Sequence, residues 1–136
     1  MQIDNILDQT IEFGRQLREE RIDQKQYLGD VAFAKEYATV SLDLGRQCGK
    51  TMAIARRAKP TDIVFSYDGA SSKEMQRRLE FWNVQHVESR TAGNAGGGDT
   101  QYDTVWIDTA KHIKPEELNK IYELYAHRAN QFVLVG

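Results

Sequence analysis

The chain has a single cysteine, two prolines and no long apolar run. One cysteine excludes an internal disulfide and fits a reducing compartment. No stretch approaches the ~20 consecutive apolar residues that a membrane-crossing helix needs. The N-terminus also lacks the basic-then-apolar pattern of a secretory leader. A cytoplasmic protein with no membrane partner is the expectation. His86, His112 and His127 do not have metal-ligand spacing, and Cys48 has no catalytic partner near it in sequence. What remains is a 136-residue chain, 40% hydrophobic and 28% charged. That composition suits one globular domain with a real core.

Charge is unevenly spread behind a net of −2. Residues 1–44 carry a net of −4, residues 46–90 a net of +4, and residues 91–136 a net of −2. A triphosphate or a nucleic acid would both suit the basic middle. The imbalance is too small to choose between them.

Residues 2 to about 20 read as an amphipathic helix, with Ile3, Ile6, Leu7, Ile11 and Leu17 at helical spacing. Gly14 is a weak point in that helix. The segment 22–36 is polar and ambiguous. Strand one covers about 38–43, and a helix runs from Lys50 to about Ala58, stopped by Lys59-Pro60. Strand two is expected over Asp62–Tyr67. A helix then runs to about Trp82, capped by Ser71 or Ser72 with Glu74 in its first turn. A short strand is read at Val84–Glu88. Gly93–Asp99, the one low-complexity stretch, is expected to be unpacked and mobile. Tyr102–Asp108 is a strand, Pro115 opens a helix to about Arg128, and Phe132–Val135 is apolar on both faces, as in a central parallel strand. Alternating strands and helices predict a parallel sheet with right-handed crossovers.

The chemistry concentrates at Gly45-Arg46-Gln47-Cys48-Gly49-Lys50-Thr51, where a strand runs through a glycine turn into a helix. Such a turn lets backbone N–H groups converge on an anion, helped by the positive end of the helix. Lys50 would reach the β/γ-phosphates of a nucleotide and the Thr51 hydroxyl would hold Mg²⁺. The pattern is GxxxGKT, with Leu44 at the position where GxxxxGK[ST] has its first glycine. A cradle of this kind needs a carboxylate for the metal. Asp108, 57 residues after Thr51 at the end of Val105-Trp-Ile-Asp108, supplies one.

These residues resemble a family. Gly45–Thr51 is similar to the divergent Walker A loop of phage large terminase motors and superfamily 2 helicase-like ATPases. Tyr102-Asp-Thr-Val-Trp-Ile-Asp-Thr-Ala-Lys-His-Ile113 is similar to their Walker B segment, and Ile63–Tyr67 with Ser71–Leu79 resembles the strand and helix between. The resemblance covers about residues 37–136. It implies an α/β fold of the P-loop NTPase type, terminase-like: a three-layer α/β/α sandwich in which Phe132–Val135 lies between the Walker A and Walker B strands. Residues 1–36 would form a helical extension to a nucleotide-binding core over 37–136.

It further implies that Lys50 and Thr51 serve phosphate and magnesium, that Asp108 serves magnesium directly or through water, and that Arg46 is an arginine finger acting in cis. Gly45, Arg46, Gln47, Cys48 and Gly49 complete the cradle, and Gln24 or Gln26 would read adenine. The implied cofactors are ATP and Mg²⁺, and the implied partners are DNA or a larger DNA-processing ATPase, in a host cytoplasm if the protein is phage-encoded. Two departures stand out. Thr109 occupies the position of the glutamate that orients the attacking water, and threonine is no base at neutral pH. The chain also stops at Gly136, where the family's last strand runs on into a coupling motif. Binding without efficient hydrolysis is therefore the expectation. A degenerate P-loop fold kept as a protein-interaction module is the alternative.

Overall fold

The computed structural model describes residues 3–43, 49–81, 88–96 and 98–136. Helix α1 (Ile3–Glu20) leads through a 3₁₀ turn (Ile22–Gln24) into the short helices α2 (Lys25–Leu28) and α3 (Asp30–Tyr37). The polar segment that was ambiguous in sequence is thus largely helical. Then follow β1 (Thr39–Leu42), α4 (Lys50–Arg57), β2 (Ile63–Ser66), α5 (Gly69–Phe81), β3 (Glu88–Thr91), β4 (Tyr102–Asp108), α6 (Pro115–Tyr125) and β5 (Ala129–Val135). Each strand pairs parallel to its neighbours in the order β1-β5-β4-β2-β3. The last strand lies between the first and the fourth, where the resemblance put it.

Side chains alternate across a strand, so the two faces can be read by parity. Ile63, Phe65, Val105, Ile107, Phe132 and Leu134 pack with Ala34 of α3 and with Ile121, Tyr122 and Tyr125 of α6. Val64, Trp106, Val133 and Val135 pack instead with Leu7 of α1, Ala53, Ile54 and Ala55 of α4, and Met75 and Leu79 of α5. Helices therefore cover both faces of the sheet. Phe132 is fully buried, and its ring lies 4.6 Å from that of Tyr122. Burial of such a side chain contributes about 1.5–3 kcal/mol, which is why the sheet interior is nearly all aliphatic and aromatic.

Several boundaries differ from the sequence reading, each for a local reason. Helix α5 starts at Gly69, not at Ser71 or Ser72, because Asp68 is the cap: its Oδ1 accepts the Ser71 N–H at 2.8 Å. Glu74 then falls outside the first turn and pairs with Arg78 at 2.9 Å. The third strand is Glu88–Thr91; Trp82 and the expected strand residues Val84–Val87 lie outside the described residues. Helix α6 ends at Tyr125, short of Arg128. Arg128 is buried instead, its guanidinium carbon 4.4 Å from the Tyr125 ring and 5.3 Å from the Tyr102 ring, its Nε donating to the Thr100 carbonyl. Strand β5 begins at Ala129 because Ala129 already pairs with Tyr102.

The glycine-rich stretch is anchored at one point: Gly93, Gly96, Gly98 and Asp99 are exposed, as expected of an unpacked segment, but Ala95 within it is not. Ala92 and Ala95 are buried in the core against α6, and the Ala95 carbonyl accepts the Tyr125 hydroxyl and Arg90. Gly14 is a contact, not a weak point. A Cβ there would meet Val40 Cγ1 at 2.2 Å, so the missing side chain sets how closely α1 lies on β1.

The uneven charge also finds an explanation. Arg57, at the end of α4, donates to Asp4 and Asp8 of α1 at 2.6 Å each, and Arg56 donates to Asp4. The basic middle thus pairs with the acidic N-terminal helix. Hydrogen bonding to Arg57 is the main cause that holds the Asp4 and Asp8 carboxyls below their usual value of 3.8, against a smaller opposing effect of burial. A lowered carboxylate stabilises the fold fully above its unfolded value, and that stabilisation disappears as pH falls through the folded value. Arg57→Leu is expected to cost about 1 kcal/mol at pH 7, since both carboxylates are partly solvated. In chemical denaturation the difference from wild type should close as pH falls below the usual carboxylate range and both carboxyls become protonated in the folded protein. A difference that persists undiminished in acid would place the effect in packing of the arginine stem.

Candidate functional site

In a parallel sheet all carboxyl ends point one way. Here Leu42, Ser66, Asp108 and Val135 end their strands along one edge. Helix α4, which follows β1 in sequence, packs on one face of the sheet, whereas α6, which follows β4, packs on the other. A crevice between outward-going chain segments at the carboxyl ends is where open α/β sheets take ligands.

Helix α4 builds one wall. Its N-cap is Gly49 at φ 98°, a left-handed conformation that costs glycine little and other residues more. The Gly49 carbonyl accepts the Ala53 N–H at 2.8 Å and so closes the first turn. Lys50 and Thr51 occupy that turn, where the helix dipole favours an anion. The floor is Asp108, the last residue of β4, only 2% exposed. Its Oδ2 accepts the Thr51 hydroxyl at 2.8 Å, and the Thr109 hydroxyl lies 3.4 Å from its Oδ1. Burial pushes the Asp108 carboxyl above its ordinary value; hydrogen bonds from Thr51 and Thr109 and the charge of Lys50 oppose that rise. Thr109 itself is at φ 52°, the one non-glycine residue with positive φ among those described. For a β-branched residue that conformation is strained. On the other face a cavity of about 230 Å³ opens between Ser41, Asp43, Ala110, Lys111, Leu134 and Gly136 at the same end of the sheet.

The sequence-derived set is brought together in part. Gly49, Lys50, Thr51 and Asp108 converge. Gly45, Arg46, Gln47 and Cys48 lie outside the described residues. Gln24 and Gln26 do not approach the crevice. Their neighbours Ile22 and Lys25 line a cavity with Ala129 and Asn130, at the opposite end of β5 from Val135, which pairs with Asp108. Six residues of strand, about 20 Å, separate those ends. His112 is exposed with its ring 5.4 Å from that of Tyr67, and His86 lies outside the described residues. Arg57 is committed to α1, and Arg77 and Arg78 both meet Glu74.

One residue had no signal in the sequence. Ser66, at the end of β2, is fully buried, and its hydroxyl has no hydrogen-bond partner. A serine at a strand end is unremarkable until the register places it beside Asp108.

Among the described residues no group of three or more His, Cys, Asp or Glu side chains is placed to hold a metal. A cation shared with phosphate oxygens needs fewer protein ligands: magnesium commonly takes one or two carboxylates and keeps several waters. No helix of the described residues is long and apolar enough to cross a membrane.

Fold and site define an α/β protein with a five-stranded parallel sheet and a polar cluster under a helix N-terminus at its carboxyl edge. No protein-family model matches the chain, and no curated protein matches its sequence.

Proposed function

We propose that the chain binds ATP with Mg²⁺ at this crevice, as a P-loop protein of the terminase and helicase-like class. The observation that carries the reading is the 2.8 Å bond between Thr51 and Asp108. Two residues 57 apart, singled out separately as a phosphate-loop hydroxyl and a metal carboxylate, touch at the ligand-binding edge of a parallel sheet. The insertion of β5 between β1 and β4 supports the same class.

On this reading Lys50 reaches the β- and γ-phosphates, the loop from Gly45 to Gly49 wraps them with backbone N–H groups, and Arg46 stabilises charge on the γ-phosphate. The donor set fits magnesium, with Thr51 and Asp108 as its protein-side oxygens. When bound, the metal would neutralise charge on the phosphates. Thr109 cannot take a proton from water, so hydrolysis by the chain alone is weak or absent. The protein would act on DNA or with a DNA-processing assembly.

Titration with a non-hydrolysable ATP analogue tests the reading. Binding is expected with Mg²⁺, and Lys50→Ala should weaken it roughly 10- to 100-fold, the worth of charged hydrogen bonds to phosphate. No binding by wild type, or equal binding by Lys50→Ala, overturns it. The second reading, a degenerate P-loop fold that serves as an interaction module or inhibitor of a larger ATPase, is favoured specifically by Thr109. It expects an empty cradle together with a stable complex with the larger enzyme. ATP turnover stimulated by DNA speaks for the first reading.

A further inference from the structure

The orphaned hydroxyl of Ser66 demands an account. Buried polar side chains are hydrogen-bonded in the great majority of cases, and the exceptions concentrate where an ion, a water or a reaction uses the group. Ser66 is 0% exposed and its Oγ has no partner.

Its surroundings indicate what it serves. Val64 packs on the face of the sheet covered by α4 and α5, so alternation turns Ser66 to that same face. Trp106 packs there too, which turns Asp108 the same way. Phe65 is in register with Ile107, so Ser66 and Asp108 are the next neighbours across β2 and β4. Adjacent strands lie about 4.8 Å apart. Ser66 therefore sits beside the carboxylate that accepts the Thr51 hydroxyl, under the first turn of α4. Among the described residues the Asp108 carboxylate has its donors in Thr51 and Thr109, and Ser66 is not one of them.

We propose that Ser66 is a positioning residue of this site: its hydroxyl holds a water in the hydration shell of the divalent cation that Thr51 and Asp108 bind with the nucleotide. The inference rests on the nucleotide reading above and adds a residue to it. Magnesium sheds its waters reluctantly, so a site with one carboxylate and one hydroxyl leaves several waters to be oriented. A hydroxyl, able to donate and accept, suits such a water. Residues that orient the ligands of a metal are typically worth 10- to 100-fold in its affinity.

The experiment uses Mn²⁺ as the probe, titrated into the full chain with a non-hydrolysable ATP analogue and read as bound Mn²⁺ by electron paramagnetic resonance. Ser66→Ala should weaken Mn²⁺ binding about tenfold. Its metal-free affinity for the analogue should equal that of wild type. Its melting temperature without metal should be unchanged or higher, because an unpartnered buried hydroxyl stabilises nothing. Equal Mn²⁺ affinity in the two proteins overturns the proposal and leaves the nucleotide reading intact. A fall in metal-free melting temperature and metal-free analogue affinity also overturns it, since Ser66 would then be structural. Failure of wild type to bind the analogue, with or without metal, removes the nucleotide reading and this proposal with it.

Discussion

On the proposed nucleotide reading, a Thr109→Glu variant should hydrolyse ATP at least ~100-fold faster than the wild-type chain, since a positioned base contributes about 10²–10⁴ in rate. Thr109 follows the buried Asp108 directly, and its side chain is partly exposed at the crevice. Its backbone is left-handed at φ 52°. That conformation costs roughly 1–2 kcal/mol for an L-residue, and a β-branched residue fits it poorly. Glutamate is unbranched at Cβ, so the exchange adds no backbone penalty. Among the described residues the side-chain interaction at risk is the long contact from the Thr109 hydroxyl to Asp108. Phosphate release under single-turnover conditions with Mg·ATP measures the effect. A variant that binds the analogue as wild type does, yet gains no rate, would show that the lack of a base at position 109 is not what limits hydrolysis. The interaction-module reading would then be the stronger one.

The largest loss of stability is expected from Asp62→Ala, about 3–5 kcal/mol. Asp62 precedes β2 and is 1% exposed. Its two oxygens accept the Lys59 N–H at 2.9 Å, the Thr104 N–H at 3.1 Å and the Trp106 indole N–H at 3.0 Å. One carboxylate thus ties the turn after α4 to β4 and fixes the indole in the face covered by α4 and α5. Alanine would leave those donors without their acceptor, each at a desolvation cost of about 1–3 kcal/mol unless water reaches it. Asp62→Asn should cost less, because one amide oxygen still accepts while the NH₂ faces a donor. Burial is the main cause that raises the Asp62 carboxyl above its usual value, and the three hydrogen bonds oppose the rise. A raised carboxylate has the opposite linkage to Asp4 and Asp8: its contribution weakens as pH rises from the unfolded value through the folded one. Denaturant melts of the three proteins at pH 7 decide the ranking, and a loss below 1 kcal/mol for alanine would contradict it.

Much of the architecture was legible from local pattern. Val105-Trp-Ile107 and Phe132–Val135 are apolar at consecutive positions, as strands buried on both faces must be, and both lie inside the sheet. Pro115 marked a helix start that the chain obeys. Boundaries slipped where a side chain made a nonlocal or unusual bond. Asp68 outcompeted two serines as a cap, and Arg128 left the helix register for two tyrosine rings. Within the glycine-rich stretch the anchoring of Ala95 depends on Tyr125, 30 residues away, which no local pattern reveals.

The sequence by itself determined the alternation of strands and helices, the parallel sheet, and the three chemically distinct residues Lys50, Thr51 and Asp108. These follow from periodicity and residue type, which are local properties of the chain. Only the tertiary structure decided that Thr51 touches Asp108, that Gln24 and Gln26 lie at the far end of the sheet, that Arg57 spends its charge on α1, and that Ser66 stands unpartnered beside the carboxylate. Each depends on strand order and register, set by how the two apolar faces pack against their helices, and no window along the chain contains that information.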